Sequence, residues 1–161
     1  MLAARLGEVL RERGQRLATA ESCTGGWVAK ACTDIAGSSG WFERGFVTYS
    51  NEAKRDMLGV PAQTLQDHGA VSRETVEAMA RGALARSQAD WAVAISGIAG
   101  PGGGTPGKPV GTVWLAWAGP GGWQETRCER FSGDREAVRR QSVRAALSGL
   151  LSRLLAGAGG A

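Results

Sequence analysis

The sequence has very little of what metal, disulfide-bonded and membrane proteins need. Its 161 residues include one histidine, His68, and three cysteines, no two of which form a Cys-x-x-Cys pair. Because a zinc site needs about four ligands at recognisable spacings, we expect neither a bound metal nor another cofactor. No apolar run approaches the roughly 20 residues that span a bilayer, so no membrane partner is expected. The odd cysteine count and the lack of an export signal predict a cytoplasmic protein.

The chain also lacks a cluster of like charges. Its 19 lysines and arginines and its 15 acidic residues leave a net charge of +4, and the basic residues are spread along the sequence. A small dispersed excess suits an anionic small ligand as well as a nucleic acid. With 43% hydrophobic residues, the composition is that of a soluble globular protein. We therefore predict a single domain over residues 1–161, with the final segment 157–161 frayed.

Hydrophobic periodicity alternates along the chain between short apolar runs and amphipathic segments. This alternation predicts a sheet covered by helices on both faces, and the short turn at 119–122 indicates one antiparallel hairpin. The predicted strands are 16–21, 44–49, 91–96, 112–118 and 123–131, and the predicted helices are 2–13, a segment ending near 34, 51–58, 61–69, 73–87 and one that begins after 134. The fold class is therefore α/β, a three-layer α/β/α sandwich on a mixed, mostly parallel sheet.

Four segments carry residues capable of chemistry, and the first is Ala20–Gly26. It places the Ser22 hydroxyl at a predicted strand-to-helix junction. Free N–H groups at a helix N-terminus can hold an oxyanion beside an attacking hydroxyl, and Gly25 and Gly26 let a substrate approach the backbone. The alternative is that Ser22 or Thr24 only caps the helix, because both residue types are common caps.

The second segment, Tyr49–Lys54, contains a candidate base for a serine nucleophile. His68 lies beside a glycine in a predicted helix-ending turn, where a surface role is expected. Lys54 falls in the first turn of a predicted helix, where positive charge is unfavourable, and partial burial there would lower its pKa toward a useful range. A solvated surface lysine is the alternative. Tyr49 either relays a proton and orients substrate or is a half-buried packing residue.

The third segment is the glycine-rich stretch Ser96–Thr105, which follows a predicted buried strand. Ligands of α/β proteins bind beyond the carboxyl ends of strands, and successive backbone N–H groups can cradle a phosphate. We therefore predict substrate contacts at Gly97, Gly100 and Thr105. A Gly-x-x-x-x-Gly-Lys pattern begins in this stretch, but it is followed by Pro109 and a strand instead of Ser or Thr and a helix, which argues against a P-loop.

The fourth segment, Phe131–Gln141, supplies positive charge. Arg135 and Arg139 are four residues apart on a predicted helix, so they share one face. Two guanidinium groups on one face suit a phosphate, although a solvated basic face would show the same pattern. Together the four segments supply a nucleophile, a base, an oxyanion site and phosphate contacts. That combination predicts amide hydrolysis of a phosphorylated small molecule.

The same segments resemble the CinA C-terminal family, in order and over nearly the whole chain. The matching stretches are AESCTGG (20–26), GSSGWFERGFVTYSNEAK (37–54), HGAVS (68–72), ISGIAGPGGGTPGKPVGTVW (95–114) and FSGDREAVRRQ (131–141). For stand-alone members, the resemblance implies an α/β/α sandwich and a metal-independent hydrolysis of nicotinamide mononucleotide to nicotinate mononucleotide and ammonia, in pyridine-nucleotide recycling. It also implies Ser22 as nucleophile, with Tyr49 and Lys54 assisting. Longer relatives carry a further N-terminal domain, whose activities are not expected here.

Alternatives remain for the function and the nucleophile. A non-catalytic nucleotide-binding module linked to competence or the DNA-damage response would keep the glycine-rich stretch and the arginines without needing Ser22 or Lys54. An amidase with another phosphorylated substrate is a third interpretation. Cys23 at a helix N-terminus is on chemistry alone the better nucleophile, but cysteine normally works with histidine, which favours a serine–lysine pair.

The expected partners follow from the same residues. A small nucleotide substrate is expected rather than a nucleic acid, because the arginines and the glycine-rich stretch suit a single phosphate. Six tryptophans in a short chain predict a homodimer or a larger homo-oligomer, since aromatic side chains are enriched at interfaces.

Overall fold

The centre of the molecule is a mixed sheet of five strands. They are β1 (Leu17–Glu21), β2 (Phe42–Val47), β3 (Trp91–Gly97), β4 (Thr112–Ala118) and β5 (Gln124–Arg130), in the spatial order β2-β1-β3-β4-β5. β1 pairs in parallel with β2 and β3, whereas β4 is antiparallel to both β3 and β5. Four strands therefore point one way and β4 points the other. This computed structural model describes the backbone of residues 1–159 and side chains through residue 156, so the fraying predicted for 157–161 falls largely outside the described residues.

Helices cover both faces of this sheet. They are α1 (Leu2–Arg13), α2 (Trp27–Thr33), α3 (Asn51–Leu58), α4 (Ala62–His68), α5 (Arg73–Ala85) and α6 (Arg135–Gly159), with short 3₁₀ turns at Ser38–Gly40 and Pro120–Gly122. α1, α2 and α6 pack on one face, and α3, α4 and α5 on the other. The predicted three-layer sandwich on a mixed sheet is thus confirmed. Within residues 1–159, none of the helices combines the length and apolarity needed to cross a bilayer.

The two faces of the sheet differ in side-chain size. On β3, Trp91, Val93 and Ile95 point toward α1 and α6, whereas Ala92 and Ala94 point toward α5. Successive side chains of a strand alternate between faces, so one strand can present a bulky surface to one layer and a thin surface to the other. The thin surface allows α5 to lie close to the sheet.

α3 is held closely against α5 at Gly82. A Cβ atom at that position would lie 2.0 Å from the carbonyl oxygen of Leu58, the last residue of α3. At the other end of α3, Ser50 Oγ accepts the N–H of Ala53 at 3.0 Å and caps the helix. The close contact and the cap together set where α3 lies relative to the sheet.

The end of β2 differs from the prediction. The strand was expected over residues 44–49, but its parallel register with β1 runs from Phe42 to Val47. β1 is the only neighbour of this edge strand among the described residues, so the length of β1 limits the length of β2. Tyr49 therefore lies beyond the strand, in the segment that leads into α3.

Candidate active site

Ser22 lies directly after β1, where the parallel strands of the sheet end. Its N–H donates to the carbonyl oxygen of Ile95 on the neighbouring strand at 3.0 Å, which anchors the backbone at this point. The turn that follows, residues 22–26, is called the Ser22 turn here. It contains Gly25 and Gly26 at φ angles of 59° and 105°, a left-handed conformation that glycine adopts without strain. The chain thereby reverses into α2 with the Ser22 side chain facing a cavity.

This cavity, called the Ser22 cavity, has a volume of about 300 Å³. That size lies at the small end of the range for ligand sites in proteins. Its lining includes six of the residues that the sequence predicted for the site, namely Ser22, Tyr49, Lys54, Gly97, Gly100 and Arg135. Residues more than 110 positions apart in the chain therefore meet at one edge of the sheet.

Lys54 reaches this cavity from α3 with no exposed side-chain surface. Its Nζ atom lies 2.9 Å from Ser22 Oγ, 2.8 Å from the carbonyl oxygen of Thr48 and 3.0 Å from that of Tyr49. None of the ion pairs within the described residues involves Lys54. Burial lowers the pKa of Lys54 from 10.5 to about 8, because desolvation disfavours the charged form.

The three neighbours of Lys54 Nζ are compatible with both charge states of the amine. An ammonium has three N–H groups, which it can donate to Ser22 Oγ and to the carbonyl oxygens of Thr48 and Tyr49. A neutral amine has two N–H groups and one lone pair. In that form the two carbonyl oxygens still accept both N–H groups, and the lone pair is left to accept the Ser22 proton.

Cys23 also lines the Ser22 cavity but lies in a different electrostatic setting. Burial raises the pKa of the Cys23 thiol to about 11; Arg139 opposes this shift and the Glu21 carboxylate adds to it. A thiol in that state is protonated at neutral pH, and the thiolate is the nucleophilic form. The burial of the Cys23 thiol therefore favours Ser22 over its neighbour as the nucleophile.

Arg135 and Tyr49 lie at the mouth of the cavity. Arg135 Nη1 donates to the Gly100 carbonyl oxygen at 2.8 Å, and its Nη2 donates weakly to Tyr49 Oη at 3.4 Å. The Tyr49 side chain is 62% exposed, so it packs against no core and its ring borders the entrance. A guanidinium and a phenol beside the glycine-rich loop provide donors for an anionic group that enters the cavity.

Arg139 lies on the far side of the Ser22 turn. Its Nε donates to the Cys23 carbonyl oxygen at 3.0 Å, and its Nη2 donates to that of Thr24 at 3.3 Å. One helical turn, about 5.4 Å of rise, separates Arg139 from Arg135. The two arginines share a helix face as predicted. Because they lie one turn apart along the helix, Arg135 lines the Ser22 cavity and Arg139 lies on the far side of the turn.

A second, shallower cavity lies on this far side. It is lined by Thr24, Gly25, Gly26, Trp27, Lys30 and Arg139, none of which lines the Ser22 cavity. The Gly25 N–H donates to the Ser22 carbonyl oxygen at 3.0 Å within the turn. The structure therefore does not bring Thr24, Gly25, Gly26 and Arg139, which the sequence predicted to bind the substrate, into the Ser22 cavity with the other predicted site residues.

Two further residues from the sequence analysis also lie elsewhere. Thr105 is exposed and closes a turn of its own, in which its N–H donates to the Lys108 carbonyl oxygen at 2.9 Å. His68 ends α4, where its half-exposed ring has Nδ1 3.5 Å from Glu74 Oε1. The surface position expected for His68 is observed.

The sequence analysis did not single out two buried polar residues at this site. Ser96 is the sixth residue of β3, is 1% exposed and lines the Ser22 cavity. Glu21, also 1% exposed, precedes Ser22 and points beneath α2, where its carboxylate accepts the N–H groups of Val28 and Ala29. The strict alternation of side chains along a strand could have shown that Glu21 and Ser22 face opposite sides.

Comparison with known proteins agrees with the resemblance of the sequence motifs. The chain is 61% identical over 154 residues to the nicotinamide-nucleotide amidohydrolase PncC of Escherichia coli (strain K12). The aligned region covers 96% of this chain and 93% of that protein. It is also 61% identical over 150 residues to the PncC protein of Pseudomonas putida, with 93% of each chain covered. A crystal structure of the competence/damage inducible protein CihA from Agrobacterium tumefaciens superimposes with a TM-score of 0.92 at 51% identity, covering 94% of this chain and 92% of that one.

The profile of the CinA C-terminal domain matches residues 1–154. This span includes every strand of the sheet and every residue that lines the Ser22 cavity. The protein therefore belongs to the CinA C-terminal domain family.

Proposed function

We propose that this chain hydrolyses the carboxamide of nicotinamide mononucleotide to nicotinate mononucleotide and ammonia, in pyridine-nucleotide recycling. The observation that carries the proposal is the 2.9 Å distance between Lys54 Nζ and Ser22 Oγ at the wall of the Ser22 cavity. The substrate comes from the relatives named nicotinamide-nucleotide amidohydrolase, which match this chain over 93% of their own length. Their names support amide hydrolysis rather than a non-catalytic nucleotide-binding module.

The first half of the reaction forms an ester on Ser22. Neutral Lys54 accepts the hydroxyl proton while Ser22 Oγ attacks the carboxamide carbon, and the resulting tetrahedral intermediate carries its charge on the former carbonyl oxygen. The C–N bond then breaks, and the ammonium group of Lys54 returns its proton to the departing nitrogen, directly or through the Tyr49 phenol, so that Lys54 is neutral again. The products of this half-reaction are ammonia and a nicotinoyl ester of Ser22.

The second half of the reaction regenerates the enzyme. A water molecule gives its proton to neutral Lys54 and attacks the ester carbon, and Ser22 leaves with a proton from Lys54. The acid product carries away the oxygen of water, so one water is consumed for each ammonia released. Such a cycle uses only side chains of this protein, and we propose that it is serine-type and independent of metal.

The developing negative charge needs donors inside the Ser22 cavity. The backbone N–H that follows a nucleophile is a common oxyanion donor, and within the described residues the Cys23 N–H has no backbone carbonyl partner. We assign this role to Cys23 N–H instead of the Gly25 and Gly26 amides. The latter line the second cavity, and Gly25 N–H is already bonded within the turn.

The phosphate of the substrate is assigned to the mouth of the cavity. Arg135 lies there, and the Gly97–Gly103 loop lines the same wall with backbone groups. Backbone N–H groups and a guanidinium are suitable donors for a phosphate dianion. In this arrangement the carboxamide of the substrate lies inside the Ser22 cavity beside Ser22, and the phosphate lies at the mouth of the cavity.

A homo-oligomer and a cytosolic location complete the proposal. Of the tryptophans, Trp41, Trp91 and Trp117 are buried within the protomer and the other three are half-buried, so the half-buried three are the ones available to an interface. Exposed Val47 and Tyr49 are better candidates for a contact between subunits. Light scattering that shows only monomer at micromolar concentration would contradict this part, and recovery in a membrane or periplasmic fraction would contradict the location.

The decisive experiment is an assay of ammonia release from nicotinamide mononucleotide. The purified protein is first dialysed against EDTA, and nicotinate mononucleotide is identified as the second product. We expect full activity without added metal. Activity lost after dialysis and restored by a divalent cation would contradict the metal-independent mechanism, whereas no turnover under any condition would contradict the proposed function itself.

A further inference from the structure

The Glu21 carboxylate is the buried charged group next to Ser22 that the proposed reaction leaves unused. Its Oε1 accepts Thr24 Oγ1 at 2.7 Å and the Val28 N–H at 2.8 Å, and its Oε2 accepts the Ala29 N–H at 3.0 Å. Both oxygens are therefore engaged by groups on the Ser22 turn and the first turn of α2. None of the ion pairs of the described residues involves Glu21.

These bonds join the end of β1 directly to the beginning of α2. Glu21 is held in the sheet by pairing with Val47 and Ile95 on both sides. Its side chain spans seven and eight residues forward to reach the N–H groups of α2. The Ser22 turn lies between these two fixed points, so the carboxylate sets the position of the Ser22 backbone.

The same bonds neutralise the positive end of α2. Free N–H groups at a helix N-terminus stabilise a nearby thiolate and so activate a cysteine. In this protein a carboxylate already occupies the N–H groups of Val28 and Ala29. The charged groups around Cys23 are Glu21, Arg139 and, from α3, Lys54.

We propose that Glu21 is a positioning residue that aligns Ser22 and, by capping α2, adds to the burial that keeps Cys23 as an unreactive thiol, so that serine is the only nucleophile of the turn. This inference rests on the proposed function, because it takes Ser22 as the attacking residue. Glu21 itself does not touch the substrate.

The first arm of the test measures turnover of the Glu21→Gln variant. Glutamine keeps one oxygen acceptor, but its NH₂ group cannot accept the second backbone N–H. We expect kcat for nicotinamide mononucleotide to fall at least about tenfold with little change in KM, because a displacement of the nucleophile by a fraction of an ångström slows the chemical step.

The matched control for this arm is Glu43→Gln. Glu43 also accepts a backbone N–H, that of Gln88 at 2.8 Å, and it pairs with Arg44 at the start of β2, away from the Ser22 cavity. This variant removes a carboxylate of similar bonding and should keep the kcat of the unmodified protein. An equal loss of kcat in both variants would overturn the assignment.

The second arm measures the alkylation of Cys23 by iodoacetamide as a function of pH. The protein carries Cys32→Ala and Cys128→Ser so that Cys23, which lines the open cavity, is the only thiol. With Glu21 present, we expect the midpoint of the rate profile to lie well above the ordinary cysteine value. In Glu21→Gln, we expect the midpoint to fall, because the carboxylate that opposes the thiolate is removed, and alkylation near neutral pH to become measurably faster.

The outcomes separate a positioning role from a merely structural one. A loss of kcat in Glu21→Gln with an unchanged alkylation profile would overturn the proposal, as would an unchanged kcat. If Glu21→Gln does not fold, the test is the alkylation profile of the protein that keeps Glu21. A midpoint at or below the ordinary cysteine pKa would show that the N-terminus of α2 still activates Cys23, and it would overturn the proposal. The alkylation arm does not depend on turnover, so failure of the proposed function remains distinguishable.

Discussion

The two sides of the Ser22 turn differ in how their polar groups are paired. On the far side, Arg139 donates to two backbone carbonyl groups, and beneath α2 the Glu21 carboxylate has three donors. On the cavity side, the amine of Lys54 and the hydroxyl of Ser22 are hydrogen-bonded to each other and to the carbonyl oxygens of Thr48 and Tyr49. The bonds on the far side hold the turn in place, whereas the bond between Lys54 Nζ and Ser22 Oγ on the cavity side joins two groups that can exchange a proton.

This difference shows why charge alone is a poor guide to a reactive site. Each side of the turn contains a basic side chain near backbone carbonyl groups. Of these two side chains only Lys54 is fully buried, and burial lowers its pKa toward neutral. An arginine in the same place could not act as a base, since its guanidinium stays protonated. The chemistry therefore depends on residue type and burial together.

Among substitutions on the two sides of the turn, we expect the largest effect from those in the serine–lysine pair. Ser22→Ala and Lys54→Met each remove one partner of the proton transfer, and we expect kcat to fall by about 10³-fold or more in steady-state assays. Cys23→Ala is the matched control and should keep most of the activity. An inactive Cys23→Ala beside an active Ser22→Ala would make this a thiol enzyme.

A smaller effect is expected from the two arginines, one on each side of the turn. Arg135→Ala removes the proposed phosphate donor, so we expect KM for nicotinamide mononucleotide to rise about tenfold or more while the weak activity on nicotinamide riboside stays unchanged. Arg139→Ala should lower activity on both substrates by a similar factor, because it loosens the turn. The reverse pattern would place the phosphate on the far side.

The pH dependence of kcat/KM sharpens the assignment of Lys54. The neutral amine is the active form, and its pKa is lowered to about 8 by burial, so kcat/KM should rise about tenfold per pH unit up to that value and then level off. Cys23→Ala should show the same profile. A profile that is flat from about pH 6 to about pH 9 would exclude Lys54 as the base.

The last effect concerns stability and needs no substrate. Below pH 8 Lys54 is protonated in both the folded and the unfolded state, so the cost of burying its charge is fully present. Between about pH 8 and about pH 10.5 the unfolded chain binds the additional proton, and stability rises with pH by on the order of 3 kcal/mol. Urea unfolding should show this rise in the unmodified protein relative to Lys54→Met. Parallel pH curves for the two proteins would contradict burial of an ionisable amine.

Much of the fold followed from local patterns in the sequence. The strand–helix alternation, the hairpin at 119–122 and the Ser50 and Ser72 caps were all predictable, because periodicity and capping depend on neighbouring residues. The end of β2 was not predictable in the same way. It depends on the register with β1, a partner more than 20 residues away along the chain.

The site was predictable as a set of segments but not as an arrangement. The motifs brought Ser22, Lys54 and Arg135 to one cavity, because loops at the carboxyl ends of strands meet at one edge. The motifs did not show that the Ser22 turn separates two cavities. The sequence of a glycine-rich motif does not reveal which of its backbone N–H groups are already hydrogen-bonded within the turn. Glu21 was missed because the interpretation treated the motif as a unit instead of following the alternation of its side chains.

The contact between Gly82 and the carbonyl of Leu58 has a consequence for how freely this sequence can vary. The last residue of α3 rests on a position where not even a methyl group fits, and the same helix carries the amine of Lys54. Any side chain at 82 would push α3 outward and draw the amine away from Ser22. In a library of random substitutions selected for turnover, position 82 would tolerate as little change as a residue that touches the substrate. That result would identify Gly82 as a residue that holds Lys54 in position through α3 without contacting the substrate itself.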